Sequence, residues 1–291
     1  MLTYSILAGL LFGLYFSLVG FGLNLVFGVM RIVNLTHGDF LMLGAFSAYW
    51  AFELAGLNPV VMLPLAFVLF LVIGLPVYYL LIPRLLGSRD PEMLSLILFF
   101  GFSQVIQAVA TMGFGTSERS IPGFVLGSGP VEIFGQSFPI AWVVSAAASA
   151  AAVLLLYVYL YLTRIGVLTR AVMVQREEAV ATGIDVHRVS ALAFGIGLGL
   201  AAVAGVFAPF MLGSITPAMG TDINLTAFAV IVIGSLGNPL GTVAGGLVYG
   251  VSLMLMQTYA SSWANLLPYL LLIAILLVRP SGLFGRVVRR A

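Results

Sequence analysis

The sequence predicts an all-α fold, a polytopic bundle of transmembrane helices, on three observations. Of 291 residues, 62% are hydrophobic and 8% are charged, where a soluble domain carries about 25% charged residues. Charge-free runs cover 1–30, 54–83, 93–117, 133–163, 189–221 and 223–278. Each exceeds the roughly 20 apolar residues that one membrane-spanning helix needs. The arginines fall in short gaps between these runs, the pattern that orients helices in a bilayer.

Absences narrow the chemistry. All 12 basic residues are Arg, and there is no Cys. Without Lys there is no phosphate-binding loop of the Walker type and no Schiff base. Without Cys there is no disulfide, thiolate nucleophile or thiolate metal site. A net charge of +2 on so apolar a chain gives no footing for nucleic acid.

Taken in order, the runs thread as nine spans. The N-terminus, MLTYSILAGLL, lacks the basic region of a signal peptide, so 4–29 reads as a retained first span running inward. Span 40–54 runs outward and 58–83 inward, to a gap holding Arg84 and Arg89. Span 93–112 runs outward to the 113–138 loop, whose Gly, Pro and Ser turns and single Arg119 mark it as external. Span 139–162 returns to the most basic loop, 163–188, with Arg164, Arg170, Arg176 and Arg188. Span 189–212 runs outward. The last apolar run, long enough for two spans or three if one is short, then passes three times (223–236, 242–260, 265–278) to reach a tail carrying Arg279, Arg286, Arg289 and Arg290. The result is one transmembrane domain over 1–291, N-terminus outside and C-terminus cytoplasmic. The second and seventh spans are short, and eight is the alternative count. Tyr49, Trp50, Trp142, Tyr259 and Trp263 at outer ends, and Tyr78, Tyr79, Tyr157, Tyr159 and Tyr161 at inner ends, form the two aromatic belts of such a bundle. Glycines within spans read mainly as close helix contacts.

Three segments stand out chemically. Arg31-Ile-Val-Asn34-Leu-Thr-His37-Gly38-Asp39-Phe40 gathers an Arg, an Asn, a His and an Asp between apolar runs. It is either a plain cytoplasmic loop or a helix break at depth, where such groups mark a functional path. Gly234-Ser-Leu-Gly237-Asn238-Pro239-Leu-Gly241 must interrupt the final apolar run. Paired breaks in two halves of a chain point to a transporter's binding site, although this threading opens both on one side, where an inverted repeat needs opposite sides. The third segment runs from Arg170 through Arg176, Glu177, Glu178 and Ala179 to Gly183, a short helix with a C-terminal glycine. It reads either as a solvated connector or as a helix docking on a cytoplasmic partner.

At these three segments the chain resembles a family. The pattern R-A-x(7)-A-x-x-x-G-I from Arg170, followed by a Gly/Ala-rich span, resembles the coupling loop of ABC-importer permeases of the branched-chain amino acid type. The stretch Gly28–Ala45 is similar to the N-terminal signature of that family, and Gly234–Gly246 with Arg279–Gly285 is similar to its C-terminal one. The resemblance covers essentially the whole chain and is to the shorter, LivH-like permease. Where the family often carries Asp or Asn near the position of Gln175, this chain has the acidic pair Glu177 and Glu178.

The resemblance implies a permease subunit of an importer, without enzymatic activity, metal or bound cofactor of its own, in a bacterial inner membrane. It implies a second, LivM-like permease as partner, two cytoplasmic ATPase subunits that hold ATP and Mg, and a periplasmic binding protein that delivers substrate. It places Asn34, His37, Gly38, Asp39, Gly234, Gly237, Asn238 and Gly241 near the translocation path, and Arg170, Arg176, Glu177, Glu178, Ala179 and Gly183 at the ATPase. The substrate it implies is an amino acid of the branched-chain type, or a related small amide or organic acid.

Three other classes compete. A passive channel is suggested by Asn58-Pro59 and Asn238-Pro239, but Asn58-Pro59 reads more simply as a helix start. An intramembrane enzyme would need more than His37 and Asp39: the other His is His187, and no nucleophile elbow or zinc-binding His pair is present. An ion-coupled carrier would need more intramembrane carboxylates than this chain offers.

Overall fold

The computed structural model describes residues 1–285; Arg286, Arg289 and Arg290, assigned above to the basic tail, lie outside the described residues. The helices, in order, are α1 (Leu2–Met30), α2 (His37–Ala55), α3 (Pro59–Leu86), α4 (Pro91–Phe114), α5 (Ile140–Leu162), α6 (Arg164–Val174), α7 (Arg176–Ala181), α8 (Val186–Met211), α9 (Met219–Gly234), α10 (Pro239–Tyr259) and α11 (Leu267–Val278). Seven helical stretches are long and apolar enough to cross a bilayer: α1, α3, α4, α5, α8, α10 and the stretch Ser261–Val278 that includes α11. The two expected spans read as short from sequence form the helices α2 and α9. The first carries His37, Asp39 and Glu53, and the second has 16 residues. The 113–138 loop is not wholly irregular. It holds a hairpin of β1 (Pro130–Ile133) and β2 (Gln136–Pro139), closed by Phe134 and Gly135, both at positive φ as a tight hairpin turn requires.

Local chemistry sets the helix starts. Asn58 accepts a bond from the Val60 amide ahead of Pro59, and Asn238 does the same for Gly241 ahead of Pro239. Asp90, Thr163 and Asp185 cap α4, α6 and α8 in the same way. The Asn58-Pro59 pair is thus a helix cap.

The bundle is built around α8, whose most apolar stretch is 94% buried, against 11% for the α11 stretch. Small residues allow this. Gly197 of α8 meets Gly22 and Val26 of α1, Gly195 and Gly199 meet Leu71 and Phe67 of α3, and Gly205 meets Leu41 and Ala45 of α2. A second seam joins α1 to α10 antiparallel: Gly9 and Gly13 lie on Val251 and Leu247, and Gly246 lies on Ser17. Between helices in lipid the hydrophobic effect gives little, so backbone approach supplies the attraction. Outward faces are apolar, as at Leu65, Leu69, Ile97, Leu155 and Ile273.

The bundle has two distinct ends. At one, Arg31 donates to the Met173 carbonyl across 3.3 Å, the Tyr78 hydroxyl lies 3.4 Å from Nδ1 of His187, and the Leu283 amide bonds the Ile233 carbonyl oxygen. At the other, Ser5 and Thr258 share a hydrogen bond, Tyr4 stacks on Phe138, and Arg119 pairs by its backbone with Ile215. Among the described residues Arg119 is the one arginine at that second end, so the arginine asymmetry expected from sequence is present in space.

Candidate functional site

The first polar segment is a break inside the bundle and not a solvated loop. α1 ends where Arg31 adopts a left-handed conformation (φ 56°). Residues 32–36 then turn back into the protein without helical structure, and Asn34, Thr36 and His37 are fully buried. The backbone there finds partners within the protein, as non-helical chain at membrane depth must. The Val33 amide reaches the Ser95 hydroxyl, the Thr36 amide and hydroxyl donate to the Asn34 side-chain oxygen, and Asn224 of α9 donates to the Leu35 carbonyl at 2.9 Å.

α2 therefore starts partway through the bundle. Its first turn lies level with the middle of its neighbours: Phe40 meets Phe70 of α3 and Phe102 of α4 edge-on. α9 starts at the same level from the other end. Gly38 packs on the Gly220 carbonyl, and Gly220 in turn lies against Asp39, so a Cβ on either glycine would collide. The N-termini of two short helices thus meet inside the bundle, and their unpaired amides carry partial positive charge.

The side chains at this junction are polar and incompletely paired. The Asp39 carboxylate accepts from Gln107 of α4 at 2.9 Å, and the same amide lies within 3.1 Å of Ser103 and 3.0 Å of Thr221. Nε2 of His37 lies 2.9 Å from the Val19 carbonyl oxygen. A carbonyl can only accept, so that nitrogen carries the proton and the neutral ring's Nδ1 is an acceptor. Nδ1 of His37, Oδ2 of Asp39, Nδ2 of Asn34 and Oδ1 of Asn224 are buried with no partner among the described residues. Buried polar groups are normally satisfied, so this concentration sets the junction apart from the rest of the bundle.

The second break is of a different kind. α9 ends at Gly234 and α10 begins at Pro239, so residues 235–238 form a tight turn with Ser235 and Gly237 at positive φ. It lies at the arginine-bearing end. The backbones of Gly234 and Gly241 touch, and Gly237 faces Gly28 of α1. The residue that holds the turn is Asn24, buried in α1. Its side-chain nitrogen donates toward the Asn238 carbonyl at 3.0 Å, the Ser235 carbonyl at 3.3 Å and the Thr242 hydroxyl at 2.5 Å, and its oxygen accepts from the Gly237 amide at 2.6 Å. Of the eight sequence-nominated path residues, Asn34, His37, Gly38 and Asp39 sit at the internal junction. Gly234, Gly237, Asn238 and Gly241 sit at the turn, away from it. Both breaks open at the same end of the bundle, as the sequence threading had it.

The basic loop holds two helices where one was expected. Gln175 is extended (φ −154°) between α6 and α7, which makes an elbow, and the expected terminal glycine, Gly183, follows α7 in the left-handed region (φ 83°). Arg170 turns inward, donating to the Leu160 carbonyl at 2.9 Å with its guanidinium 4.5 Å over the Tyr161 ring. Arg176 reaches back toward Ser190 of α8, and Ala179 is buried. Glu177 and Glu178 are exposed, as are Val174 and Val180 beside them. The outward surface of the elbow is therefore acidic and apolar, and the arginines fasten its inner side.

Gln107, Ser103 and Asn24 were not singled out from sequence. The available signal was a lone Asn or Gln inside an apolar span, which in lipid has to find a partner.

Residues 5–276 match the family described as branched-chain amino acid transport system / permease component. The chain is similar to the high-affinity branched-chain amino acid transport system permease protein LivH of Salmonella typhimurium, 29% identical over 96% of this chain and 94% of that protein. It is similar to LivH of Escherichia coli K12 at 28% over the same shares, and to BraD of Pseudomonas aeruginosa at 29% over 96% and 94%. No solved structure shows significant similarity to it. A profile match over nearly the whole chain, together with a bundle that carries a polar break in its interior, establishes that this multi-pass membrane protein belongs to the permease-component family of branched-chain amino acid transport systems.

Proposed function

We infer that this chain is a translocating subunit of an ABC importer for branched-chain amino acids, working beside a second, LivM-like permease. Two cytoplasmic ATPase subunits, holding ATP and Mg, dock on the 163–188 loop, and a periplasmic binding protein delivers substrate to the opposite end. The arginine-bearing end is cytoplasmic, which puts the N-terminus outside and the C-terminus inside a bacterial inner membrane. The chain itself does no covalent chemistry and holds no cofactor.

The observation that carries this reading is the meeting of α2 and α9 at Gly38 and Gly220, with Asp39, His37 and Gln107 around it. Discontinuous helices converging inside a bundle are how transporters expose polar backbone to a solute. The relatives' names supply the substrate class. Closure of the ATPase dimer on ATP pulls the α6–α7 elbows together, and α8, which continues directly from the elbow, carries the displacement to α2. The driving free energy is the preference of ATP for the closed dimer.

The test is co-expression of this chain with its candidate second permease and ATPase subunits. A stable complex whose ATPase activity rises with leucine-loaded binding protein is the expected result. A chain that conducts leucine in liposomes without ATP would replace this reading with the channel.

A further inference from the structure

Above the junction lies a cavity of about 190 Å³ between α1, α9 and α10. Tyr15, Phe16 and Val19 of α1, Asp222 and Thr226 of α9 and Tyr249 of α10 line it. One wall is shared with the junction, since His37 holds the carbonyl of Val19. The volume falls below the roughly 300 Å³ at which drug-sized sites begin, which restricts the occupant to a small molecule.

The lining has a definite chemistry. Asp222 is exposed to the cavity mouth, and among the described residues no cation or hydrogen-bond donor engages its carboxylate. The Tyr15 hydroxyl is fully buried and has no protein partner. The Tyr249 ring meets Phe16 edge-on at 4.8 Å, and its hydroxyl lies 3.3 Å from Thr226. Among the described residues no basic residue lines the cavity. An exposed carboxylate beside aromatic rings is a receptor for a cation. A carboxylate without an amine would meet only the charge of Asp222, and a neutral amide would leave that charge unmatched.

We propose that this cavity is a substrate subsite within the permease, in which Asp222 takes the protonated amine of a small amino acid at the mouth, where the carboxylate of the same molecule stays in water, while the Tyr249 ring, Phe16 and Val19 face its apolar side chain. The subsite rests on the importer reading and deepens it. It selects primary ammonium compounds over the amides and organic acids, independently of the binding protein. The ammonium lies against Asp222 at the mouth, on the side from which the delivered substrate arrives, and the path onward passes His37 and Asp39.

The experiment measures leucine uptake by the assembled complex in proteoliposomes, with one wild-type binding protein throughout, for the wild-type chain, Asp222→Asn, Asp222→Glu and Tyr249→Phe. Asp222→Asn is expected to lower the maximal uptake rate by roughly tenfold or more, the size of one charge-assisted contact. The concentration for half-maximal uptake, set by the binding protein, stays in place. Asp222→Glu restores most of the rate, and Tyr249→Phe, which keeps the ring, loses little. ATPase stimulation by loaded binding protein shows that each variant assembles. Asp222→Asn with stimulated ATPase and wild-type uptake overturns the subsite and leaves the importer intact. Loss of assembly in Asp222→Asn and Asp222→Glu alike shows a structural role and also overturns it. A wild-type complex without ATP-driven leucine uptake overturns the importer reading, and the subsite with it.

Discussion

Replacing Asn24 by Ala tests whether one buried amide holds the turn between α9 and α10. The Asn24 side-chain nitrogen has two protons and faces three acceptors, the Ser235 and Asn238 carbonyls and the Thr242 hydroxyl. Thr242 itself donates to the Asn238 carbonyl at 3.2 Å. At most two bonds of full strength leave that nitrogen, and the bond from the Gly237 amide makes a third. At about 1 kcal/mol net for each bond, Asn24→Ala destabilises the fold by about 3 kcal/mol. The range is about 2 to 5 kcal/mol, because membrane hydrogen bonds run weaker while orphaned buried groups cost more. The assay is unfolding of the purified full-length chain in mixed micelles by added SDS, followed by circular dichroism. Asn24→Asp keeps the acceptor for Gly237 but loses both donors, so it falls at or beyond the Ala value. A variant within about 0.5 kcal/mol of wild type, below one ordinary hydrogen bond, refutes the clamp.

Other outcomes follow from the same contacts. Gly205→Val drives a side chain into the Leu41 carbonyl and Ala45 amide of α2 and should cost at least about 3 kcal/mol in the same assay. Gly101→Ala, at a site on α4 with nothing within 4 Å, should be neutral or stabilising by up to about 1 kcal/mol. Glu178→Arg reverses an exposed charge on α7, and Gly183→Val forces a β-branched residue to φ 83° at a cost of about 2 kcal/mol. Both should leave membrane insertion intact and abolish substrate-stimulated ATPase activity of the complex, and retained stimulation would remove the elbow from the coupling role. His37→Ala leaves the Val19 carbonyl without its partner in the wall of the path. Uptake should fall by roughly tenfold with the complex still assembled, and unchanged uptake would make the segment a purely structural break.

Much of the fold was legible because lipid imposes a simple rule. Long apolar runs became helices, and the helix start at Asn58-Pro59 could be read from its two residues. The family-bearing segments could be read too, since Gly and charged residues stand out against so apolar a background. The sequence did not decide how deep Asn34–Asp39 lies, because a solvated loop and a buried break have the same composition. Depth depends on partners far along the chain, Ser95, Asn224 and Gln107. Nor did spacing show that the Asn238 turn is held from α1, or that Asp222, the single charge between the runs 189–221 and 223–278, stands at the mouth of a cavity. The elbow at Gln175 escaped the helical pattern because Ala171, Val172 and Ala179 keep nearly the same spacing across it.

The burial of α8 has a mechanical consequence. Its 26 residues make a rod of about 39 Å at 1.5 Å per residue, fixed along its length by α1, α2 and α3. Packing on these sides stiffens the rod, while Ile196, Leu200 and Val203 on its remaining face line a cavity of about 610 Å³ toward α5. Four residues separate α7 from its base, and Gly205, near its far end, is wedged against Leu41 and Ala45. A swing of about 2° about the base moves the far end by about 1.4 Å, within the 1–2 Å helix shifts by which switching proteins work. On the importer reading proposed above, α8 is a lever whose short arm is the elbow and whose long arm bears on α2. The closely packed glycines that let α2 touch it, Gly205 among them, are then its bearing surface as well as its packing.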